Sequence, residues 1–229
     1  MNETSLPSDK HFREQPTALI VADAWLPAGA AGLIAALSGY FGYPLLCLLF
    51  GVCALFLLSF FRNPTRVISG SDTDVVSPAD GRVIEVKEEQ GRDGNRQLRI
   101  GIFLSVFNVH VNRSPLSGRV VSIERTGTLK RAAFDPRAVT DNVQCSMTLE
   151  ADNGVVFQVV QITGLIARRI VCRAVVGDWI ERGQRYGLIR FGSRTDVVLP
   201  IEAKPMVSRG QRVRGGVTIL AELFASPRL

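Results

Sequence analysis

Cysteine and histidine are scarce in this sequence, and they are not clustered. The 229 residues include two histidines and four cysteines, and the cysteines (Cys47, Cys53, Cys145 and Cys172) show no C-x-x-C spacing. Zinc sites and disulfide frameworks need such residues at short, characteristic spacings. We therefore predict reduced, buried cysteines, no disulfide framework and no bound metal.

A concentrated basic segment is also absent. The net charge of +6 suits an anionic partner, which could be a membrane surface or a nucleic acid. The basic residues are scattered along the chain, however, and no nucleic-acid-binding motif is present. We expect an anionic lipid surface as partner and no nucleic acid.

Charge is missing altogether from residues 24–61, which contain no Asp, Glu, Lys or Arg. A membrane-spanning helix needs ~20 apolar residues, so this run is too long for one crossing and short for two. Gly39, Gly42 and Pro44 mark a turn inside the run. We predict two short helices, at 26–38 and 44–61, that form a membrane-associated helical hairpin over residues 24–62. A buried helix pair in a globular protein is the alternative.

The flanks of this apolar run are basic. Lys10 and Arg13 lie before it, in a polar N-terminal tail of residues 1–23, and Arg62 and Arg66 follow it. A hairpin puts both flanks on one side of the membrane, and the positive-inside rule makes that side cytoplasmic. We expect attachment to the inner cell membrane with the following domain in the cytoplasm. A signal peptide is disfavoured because the run is too long and has no A-x-A cleavage site.

Residues 63–229 change to short strand-like runs separated by Gly, Asp and Asn turns, which predicts a mainly β domain. The stretch "RGQRYGLIRF" at 182–191 recurs as "RGQRVRGGVTIL" at 209–220. This echo resembles the half-repeats of barrel-sandwich domains, so we expect a duplicated barrel-sandwich-like β domain. No Met-Lys-Met acceptor is present, which argues against a swinging-arm carrier. Residues 130–143 are expected to form a surface loop.

His110 lies at the polar end of a strand-like run from Ile102 to Asn112. Even positions in this run begin apolar and end with Asn108, His110 and Asn112, which share one face of an extended strand. A site could open there, and the titration range of histidine suits acid–base chemistry. An exposed histidine at a strand end is the alternative interpretation.

Three short motifs are more informative in combination than each is alone. They are "VVSPADGRV" at 75–83, "FNVHVNRSP" at 107–115 and "RFGSRTD" at 190–196. Asp-Gly and Gly-Ser pairs alone are common in turns. In this order, and after an apolar segment, the motifs resemble the phosphatidylserine decarboxylases of the short bacterial and archaeal type. The resemblance spans most of residues 60–225.

This resemblance implies a self-processing enzyme. Ser193 would be the nucleophile that attacks the carbonyl of Gly192, His110 the base, and Asp80 the residue that orients and charge-balances it. Cleavage between 192 and 193 would give a β chain of residues 1–192 and an α chain of residues 193–229. Residue 193 would become a pyruvoyl group, the only cofactor of the enzyme.

In turnover, the resemblance implies a Schiff base between the pyruvoyl ketone and the amine of phosphatidylserine in the membrane. The group accepts the electrons released as carbon dioxide leaves, and His110 reprotonates the carbanion to give phosphatidylethanolamine. The resemblance also implies a homodimer. Arg113 and Arg194 could neutralise the lipid phosphate or carboxylate, although we favour solvated surface arginines. Asn142 lies where the sequence departs from the family pattern, which leaves a substrate role for it open.

Two other functions remain to be weighed. A pyruvoyl decarboxylase of a soluble amino acid would explain the motifs but leave the apolar segment without a role. A membrane-anchored barrel-sandwich adaptor without catalysis would explain the anchor and the echo but make Asp80, His110 and Ser193 coincidental. A C-terminal fragment that begins at residue 193 and has no free amine would distinguish the enzymes from the adaptor.

Overall fold

The computed structural model describes residues 19–91, 94–165 and 169–223, so most of the predicted N-terminal tail, with Lys10 and Arg13, lies outside the described residues. A short 3-10 turn, Ala22–Ala24, leads into helix α1, Trp25–Tyr40, and helix α2 spans Pro44–Phe60. Pro44 is the first residue of α2, where its missing N–H costs nothing. The two helices predicted at 26–38 and 44–61 are therefore present, with bounds shifted by one or two residues.

The two helices pack through small residues and expose large apolar ones. Ala28, Ala31, Ala35 and Ser38 follow one face of α1 and are buried. The exposed large apolar side chains of the hairpin include Leu26, Leu33, Leu37, Tyr40, Leu45, Leu48, Leu49, Val52 and Leu55. Within residues 19–91, 94–165 and 169–223, no helix combines the length and the apolar character that crossing a membrane requires.

The rest of the described chain is mainly β, as predicted, with one short helix, α3, at Ala138–Asp141. Most strands are short, and all of the strand pairs are antiparallel. In chain order the strands are β1 Asp74–Val76, β2 Gly81–Gln90, β3 Arg96–Leu104, β4 Val111–Arg113, β5 Gly118–Thr126, β6 Gln144–Glu150, β7 Val156–Thr163, β8 Arg169–Cys172, β9 Trp179–Ile180, β10 Arg185–Arg190, β11 Ser193–Pro200, β12 Lys204–Pro205, β13 Arg212–Val213 and β14 Ile219–Glu222.

The strands form one large sheet and two small ones. The eight-stranded sheet has the order β13-β2-β3-β11-β7-β6-β5-β9 and curls into a half-barrel. The three-stranded sheets have the orders β4-β10-β8 and β1-β14-β12. Only Phe191 and Gly192 separate β10 from β11, so the chain passes from a small sheet into the large one at the predicted cleavage site.

The main core lies against one face of the large sheet. Along β3 the residues Leu98, Ile100, Ile102 and Leu104 alternate into the core, as the two-residue period of a strand requires. Strand β11 lies between β3 and β7, and its residues from Ser193 to Leu199 are buried. A strand paired on both sides holds its first residue firmly in place.

The sequence echo is confirmed for its turns. Gly183 and Gly210 both have positive φ, at 79° and 95°. In both turns the following glutamine, Gln184 or Gln211, accepts a hydrogen bond from the backbone N–H three residues earlier, at 2.7 and 3.2 Å. The strands that follow, β10 and β13, belong to different sheets. Duplication of the whole domain stays a prediction.

Residues 130–143 lie largely at the surface, as the sequence predicts, with two additional features. The segment contains α3, and Asn142 at its end is fully buried. The Asn142 side-chain amide donates to the backbone oxygens of Thr163 and Arg131, at 2.7 and 2.9 Å. This amide fastens the segment to the end of β7, so Asn142 has a structural task.

The cysteines are free thiols, as predicted. The prediction that they are buried holds for Cys145 on β6 and is wrong for Cys53, which is exposed on α2. The reason is that the apolar helix around Cys53 presents its side chains outward rather than into the core.

Candidate active site

Backbone hydrogen bonds bring the three sequence motifs side by side. The N–H of Arg113 donates to the carbonyl of Pro78 at 2.9 Å, which joins the second motif to the first. The N–H of Ile189 donates to the carbonyl of His110 at 3.3 Å, and β4 pairs with β10. The second motif therefore lies against the strand that leads into the third.

Buried hydrogen bonds between side chains also connect the second motif to β11. The Nδ2 of Asn112 donates to Oγ1 of Thr195 at 3.1 Å, and its Oδ1 accepts a hydrogen bond from Gln161 at 2.8 Å. His110 and Ser193 lie two residues before Asn112 and Thr195. The Asn112–Thr195 contact therefore joins the segment that follows His110 to the strand that begins at Ser193.

His110 is buried, with 2% of its surface exposed, which overturns the interpretation as an exposed strand-end histidine. Its Nδ1 lies 2.9 Å from the carbonyl oxygen of Asn108. A carbonyl only accepts hydrogen bonds, so Nδ1 carries the proton and Nε2 holds the free lone pair. Nε2 is buried and has no hydrogen-bond partner within the described residues.

The imidazole is neutral at physiological pH. Burial lowers the pKa of His110 to about 4, the hydrogen bond to Asn108 opposes this shift, and the positive charge of Arg62 adds to it. Burial disfavours the charged form of a histidine because the imidazolium loses its hydration. A neutral ring with an open Nε2 is the form that a general base requires.

Ser193 is the first residue of β11 and is completely buried. Its Oγ also has no hydrogen-bond partner in the part of the chain that the structure describes. A buried polar atom without a partner costs about 1–3 kcal/mol. The buried donor on Ser193 and the buried acceptor on His110 are thus both unsatisfied and are not hydrogen-bonded to each other, and each calls for a functional explanation.

The backbone is strained just before Ser193. Phe191 has a φ of 65°, the only positive φ of a non-glycine residue in the described ranges, and Gly192 follows with a φ of 39°. A bulky residue in this region costs about 1–3 kcal/mol, and such strain concentrates at functional sites. The strain stands at the peptide bond that the sequence predicts to be cut.

Gly164 is a site residue that the sequence did not reveal. A Cβ on Gly164 would lie 2.2 Å from the carbonyl oxygen of Gly192 and 3.2 Å from Cβ of Ala133. The backbone after β7 therefore packs directly against the carbonyl group next to Ser193. A glycine that directly follows a strand was the available signal, since it marks a close backbone approach.

Asp80 takes part in a different set of hydrogen bonds from His110. Its Oδ2 lies 2.8 Å from the guanidinium of Arg66, and its Oδ1 accepts a hydrogen bond from the N–H of Gly215 at 2.7 Å. The Nδ1 position that an orienting carboxylate would occupy is taken by the carbonyl of Asn108. The structure thus assigns ring orientation to Asn108, and a catalytic role for Asp80 stays a prediction.

Phe60, at the end of α2, was missed because its apolar run was interpreted as a membrane segment only. Its ring lies 4.2 Å from the ring of His110 and 4.6 Å from the ring of Phe191, measured between centroids. The hairpin therefore contributes to the wall of the site.

Arg194 is buried, with 2% exposed, so the interpretation as a solvated surface arginine is wrong. Its guanidinium binds both carboxylate oxygens of Asp196, at 2.5 and 3.0 Å, and also contacts Glu85. Burial alone would lower the pKa of Arg194, but the charges of Asp196 and Glu85 raise it. The sheet face accommodates the guanidinium because Gly101, on β3, has no side chain: a Cβ there would lie 2.6 Å from Nη2.

Arg113 is buried too, and the surface interpretation fails for it as well. Its guanidinium donates to the carbonyl oxygens of Gly183 and Pro64, both at 2.9 Å. These contacts join the β4 segment to the chain that leaves the hairpin. Arg113 therefore holds backbone segments together.

No cluster of three or more His, Cys, Asp or Glu side chains suited to a metal ion occurs within the described residues. Residue 193 itself is the position where a group derived from the chain could arise. Its burial, its unsatisfied Oγ and the strained turn before it fit such a conversion.

Comparison with known proteins agrees with the geometry. Residues 53–221 match the family model described as phosphatidylserine decarboxylase. The chain is 44% identical to the phosphatidylserine decarboxylase proenzyme of Geotalea uraniireducens, covering 89% of this chain and 96% of that protein. It is 48% identical to the proenzyme of Pelobacter propionicus, over 76% of this chain and 80% of that protein. It is 39% identical to the proenzyme of Cupriavidus metallidurans, over 91% and 97%.

Proposed function

This chain belongs to the phosphatidylserine decarboxylase family, and we propose that it cuts itself between Gly192 and Ser193 and then converts phosphatidylserine to phosphatidylethanolamine. The observation that carries this proposal is the pair of buried, unsatisfied groups, Nε2 of His110 and Oγ of Ser193, beside the strained turn at Phe191 and Gly192. These features support a base, a nucleophile and a scissile bond in the uncut chain, although Nε2 and Oγ are not hydrogen-bonded to each other.

The first step is an acyl shift. Nε2 of His110 takes the proton from Oγ of Ser193, and Oγ attacks the carbonyl carbon of Gly192. The peptide nitrogen of Ser193 leaves with a proton, so that the amide becomes an ester between Gly192 and the serine side chain. Gly192 suits this step because it has no Cβ to obstruct the approach, and the strain of the preceding residue is released.

The second step is an elimination. Loss of the Cα proton of residue 193 expels the Gly192 carboxylate, which frees the β chain and leaves dehydroalanine. Water then replaces the nitrogen, which departs as ammonia, and residue 193 ends as a pyruvoyl group. Residue 193 is completely buried, so its surroundings exclude bulk water during these steps.

The new α chain stays in place after the cut because its first strand is paired on both sides. Strand β11 is paired with β3 from Ser193 to Pro200 and with β7 from Ser193 to Val198. The contacts of Arg194 with Glu85 join residues on the two sides of the cut. Residue 193 is therefore held at the same position before and after processing.

In turnover the pyruvoyl group supplies an electrophilic ketone that condenses with the amine of phosphatidylserine and accepts the electrons released with carbon dioxide. His110 retains its buried position and its fixed tautomer, so Nε2 is the atom that moves a proton at this site. Phe60 and Phe191 shield the ring from water on the hairpin side. Because decarboxylation consumes one proton, Nε2 of His110 would first take up a proton from solvent and then give it to the substrate carbon.

We also propose that the hairpin associates with the membrane that contains the substrate, with the β domain on the cytoplasmic side. The support is the band of exposed apolar side chains on α1 and α2, because a contiguous exposed apolar surface marks a membrane or protein interaction site. The test is flotation with vesicles that contain phosphatidylserine. Replacing Leu48 and Leu55 by Asp should weaken binding about tenfold or more per leucine, while self-cleavage in detergent continues.

A homodimer remains a prediction, which sedimentation in detergent would test.

The self-cleavage is tested by intact mass and a denaturing gel. The wild-type chain should yield a C-terminal fragment of residues 193–229 whose N-terminus has no free amine, and it should release carbon dioxide from phosphatidylserine vesicles. Ser193→Ala should remain a single chain without activity. A wild-type protein that stays uncut, with an ordinary serine at 193, would overturn the proposal. Equal activity on a water-soluble serine ester would point to a soluble substrate instead.

A further inference from the structure

We infer that the base of the helical hairpin is part of the reaction site and that Phe60 is a positioning residue, which holds the His110 ring against the turn that is cut. The hairpin base is defined here as Asp23, Phe60 and Arg62. The inference rests on the proposed self-cleavage and assigns to the hairpin a task in addition to membrane association.

Phe60 is buried between the two parts of the site. Its ring is tilted by 31° to the ring of His110 and by 30° to the ring of Phe191, with centroid distances of 4.2 and 4.6 Å. The Phe60 ring therefore contacts both the His110 imidazole and the ring of Phe191. Stacking of this kind prefers defined centroid distances and tilts, so it restrains the orientation of both neighbours.

Arg62 fixes the other side of the histidine. Its guanidinium donates to the carbonyl of Phe107 at 2.6 Å and to the carbonyl of Ser59, at the end of α2, at 2.7 Å. Phe107 belongs to the turn in which Asn108 Oδ1 accepts hydrogen bonds from the N–H and the hydroxyl of Ser105, at 2.9 and 2.7 Å. The helix end thus holds the turn whose Asn108 carbonyl selects the tautomer of His110.

Asp23, in the 3-10 turn before α1, reaches the segment that leads into the predicted cleavage site. Its carboxylate binds Arg190 at 2.5 Å and Arg173 at 2.6 Å. Arg190 is the residue before Phe191, so both ends of the hairpin contact the segment that leads to the scissile bond. Burial alone would raise the pKa of Asp23, but the hydrogen bonds and charges of Arg190 and Arg173 lower it, which keeps the ion pairs charged.

These contacts explain how a phenylalanine is kept at positive φ. Phe191 lies in the left-handed region, which L-residues with bulky side chains avoid. Its ring packs on Phe60 in a small apolar cluster that also contains Ala24, Phe61 and Leu188. The hairpin base therefore holds the strained turn and the imidazole of His110 as one unit.

The test compares Phe60→Leu with the matched control Phe56→Leu in the full chain, synthesised uncut and followed over time on a gel. Phe56 lies one turn earlier on α2 and packs on Phe60, with ring centroids 6.3 Å apart, but has no ring contact with His110 or Phe191 among the described residues. Phe60→Leu should cut about 10- to 100-fold more slowly, because a displaced base loses its aligned approach. Phe56→Leu should cut at nearly the wild-type rate, and Phe60→Tyr should restore most of the rate.

The pH profile separates positioning from simple loss of folding. Arg62 is the described charged side chain whose field reaches His110, and no charged residue lies in the turn from Ser105 to Asn108. Loss of the Phe60 ring admits water to His110, so cleavage by Phe60→Leu should decline as the pH falls through the ordinary range of histidine. If Phe60→Leu does not fold, Phe60→Met keeps the apolar bulk without the ring and should show the same slowing.

The outcomes are distinguishable. If the wild type itself stays uncut, the proposed function fails. If the wild type is cut but Phe60→Leu or Phe60→Met is cut at the wild-type rate with an unchanged pH profile, only the positioning role of Phe60 is wrong. Equal slowing in Phe56→Leu would likewise overturn it, because that result would indicate general damage to the helix.

Discussion

The carbonyl oxygen of Asn108 lies 2.9 Å from Nδ1 of His110, and this contact decides which ring nitrogen acts as the base. With the proton fixed on Nδ1, Nε2 holds the lone pair and is buried without a hydrogen-bond partner among the described residues. A backbone oxygen here performs the orienting task that a carboxylate performs in many triads. Since a carbonyl carries no charge, burial dominates the pKa of the ring.

Self-cleavage should therefore be almost independent of pH in the range where an ordinary histidine titrates. Burial lowers the pKa of His110 to about 4, so the ring stays neutral and basic throughout. A histidine with an ordinary pKa near 6.5 would make cleavage about thirtyfold slower at pH 5 than at pH 8. The rate of conversion of freshly synthesised chain, measured across this range on a gel, distinguishes the two.

Arg62→Gln provides the comparison for that profile. Arg62 lowers the pKa of His110 through its positive charge, so its removal should shift the decline of the rate to higher pH. A wild-type rate that falls with a midpoint near 6.5 would contradict the buried, neutral imidazole.

Gly164→Ala should block self-cleavage. The added methyl group would stand 2.2 Å from the carbonyl oxygen of Gly192, and the neighbour is backbone that cannot rotate away. The scissile carbonyl or the end of β7 must then move, and a misplacement of about 1 Å costs roughly 100-fold in rate. Gly51→Ala is the control, because a Cβ at this position of α2 has nothing within 4 Å. Normal cutting by Gly164→Ala would show that the close approach does not matter.

Arg194→Gln should destabilise the uncut Ser193→Ala protein by about 3–5 kcal/mol, because it leaves the fully buried Asp196 without its bidentate partner. Arg99 still contacts Asp196 at 3.0 Å, and this remaining ion pair sets the lower end of the range. Urea unfolding measures the change. Arg137→Gln, which removes an exposed pair with Asp135, should leave the urea midpoint unchanged. Equal midpoints for the two variants would contradict a buried network around β11.

The features that could be predicted are those that depend on residue type and on the order of residues along the chain. The charge-free run and Pro44 predicted both helices of the hairpin to within one or two residues. The motifs around His110 and Ser193 predicted a base and a nucleophile, and each side chain is buried with an unpartnered polar atom. Their catalytic roles stay predictions. The continuous strand predicted from Ile102 to Asn112 was wrong, because β3 ends at Leu104 and a turn precedes β4 at Val111.

Contacts made by backbone atoms or by residues distant in the sequence could not be predicted. A carbonyl such as that of Asn108 is present at every position, so no residue type marks it as the partner of a histidine. Phe60 and Gly164 lie 50 and 54 residues from His110 and reach the site only through the packing of α2 and β7. Arg194 looked like a surface residue because its space is provided by the missing side chain of Gly101, on another strand.

The buried imidazole should also make the protein sensitive to acid. The folded pKa of His110 is about 4 and the unfolded value is 6.5, so the unfolded chain binds more protons between these two values. Above pH 6.5 both states are neutral and the residue contributes nothing; as the pH falls towards 4 the free energy of unfolding should drop by about 3 kcal/mol on account of His110. Urea unfolding of Ser193→Ala at a series of pH values, with and without His110→Gln, isolates this contribution, because the carboxylates titrate alike in both proteins. The glutamine variant should lose less stability over this interval, and parallel curves for the two proteins would show that His110 is not held neutral.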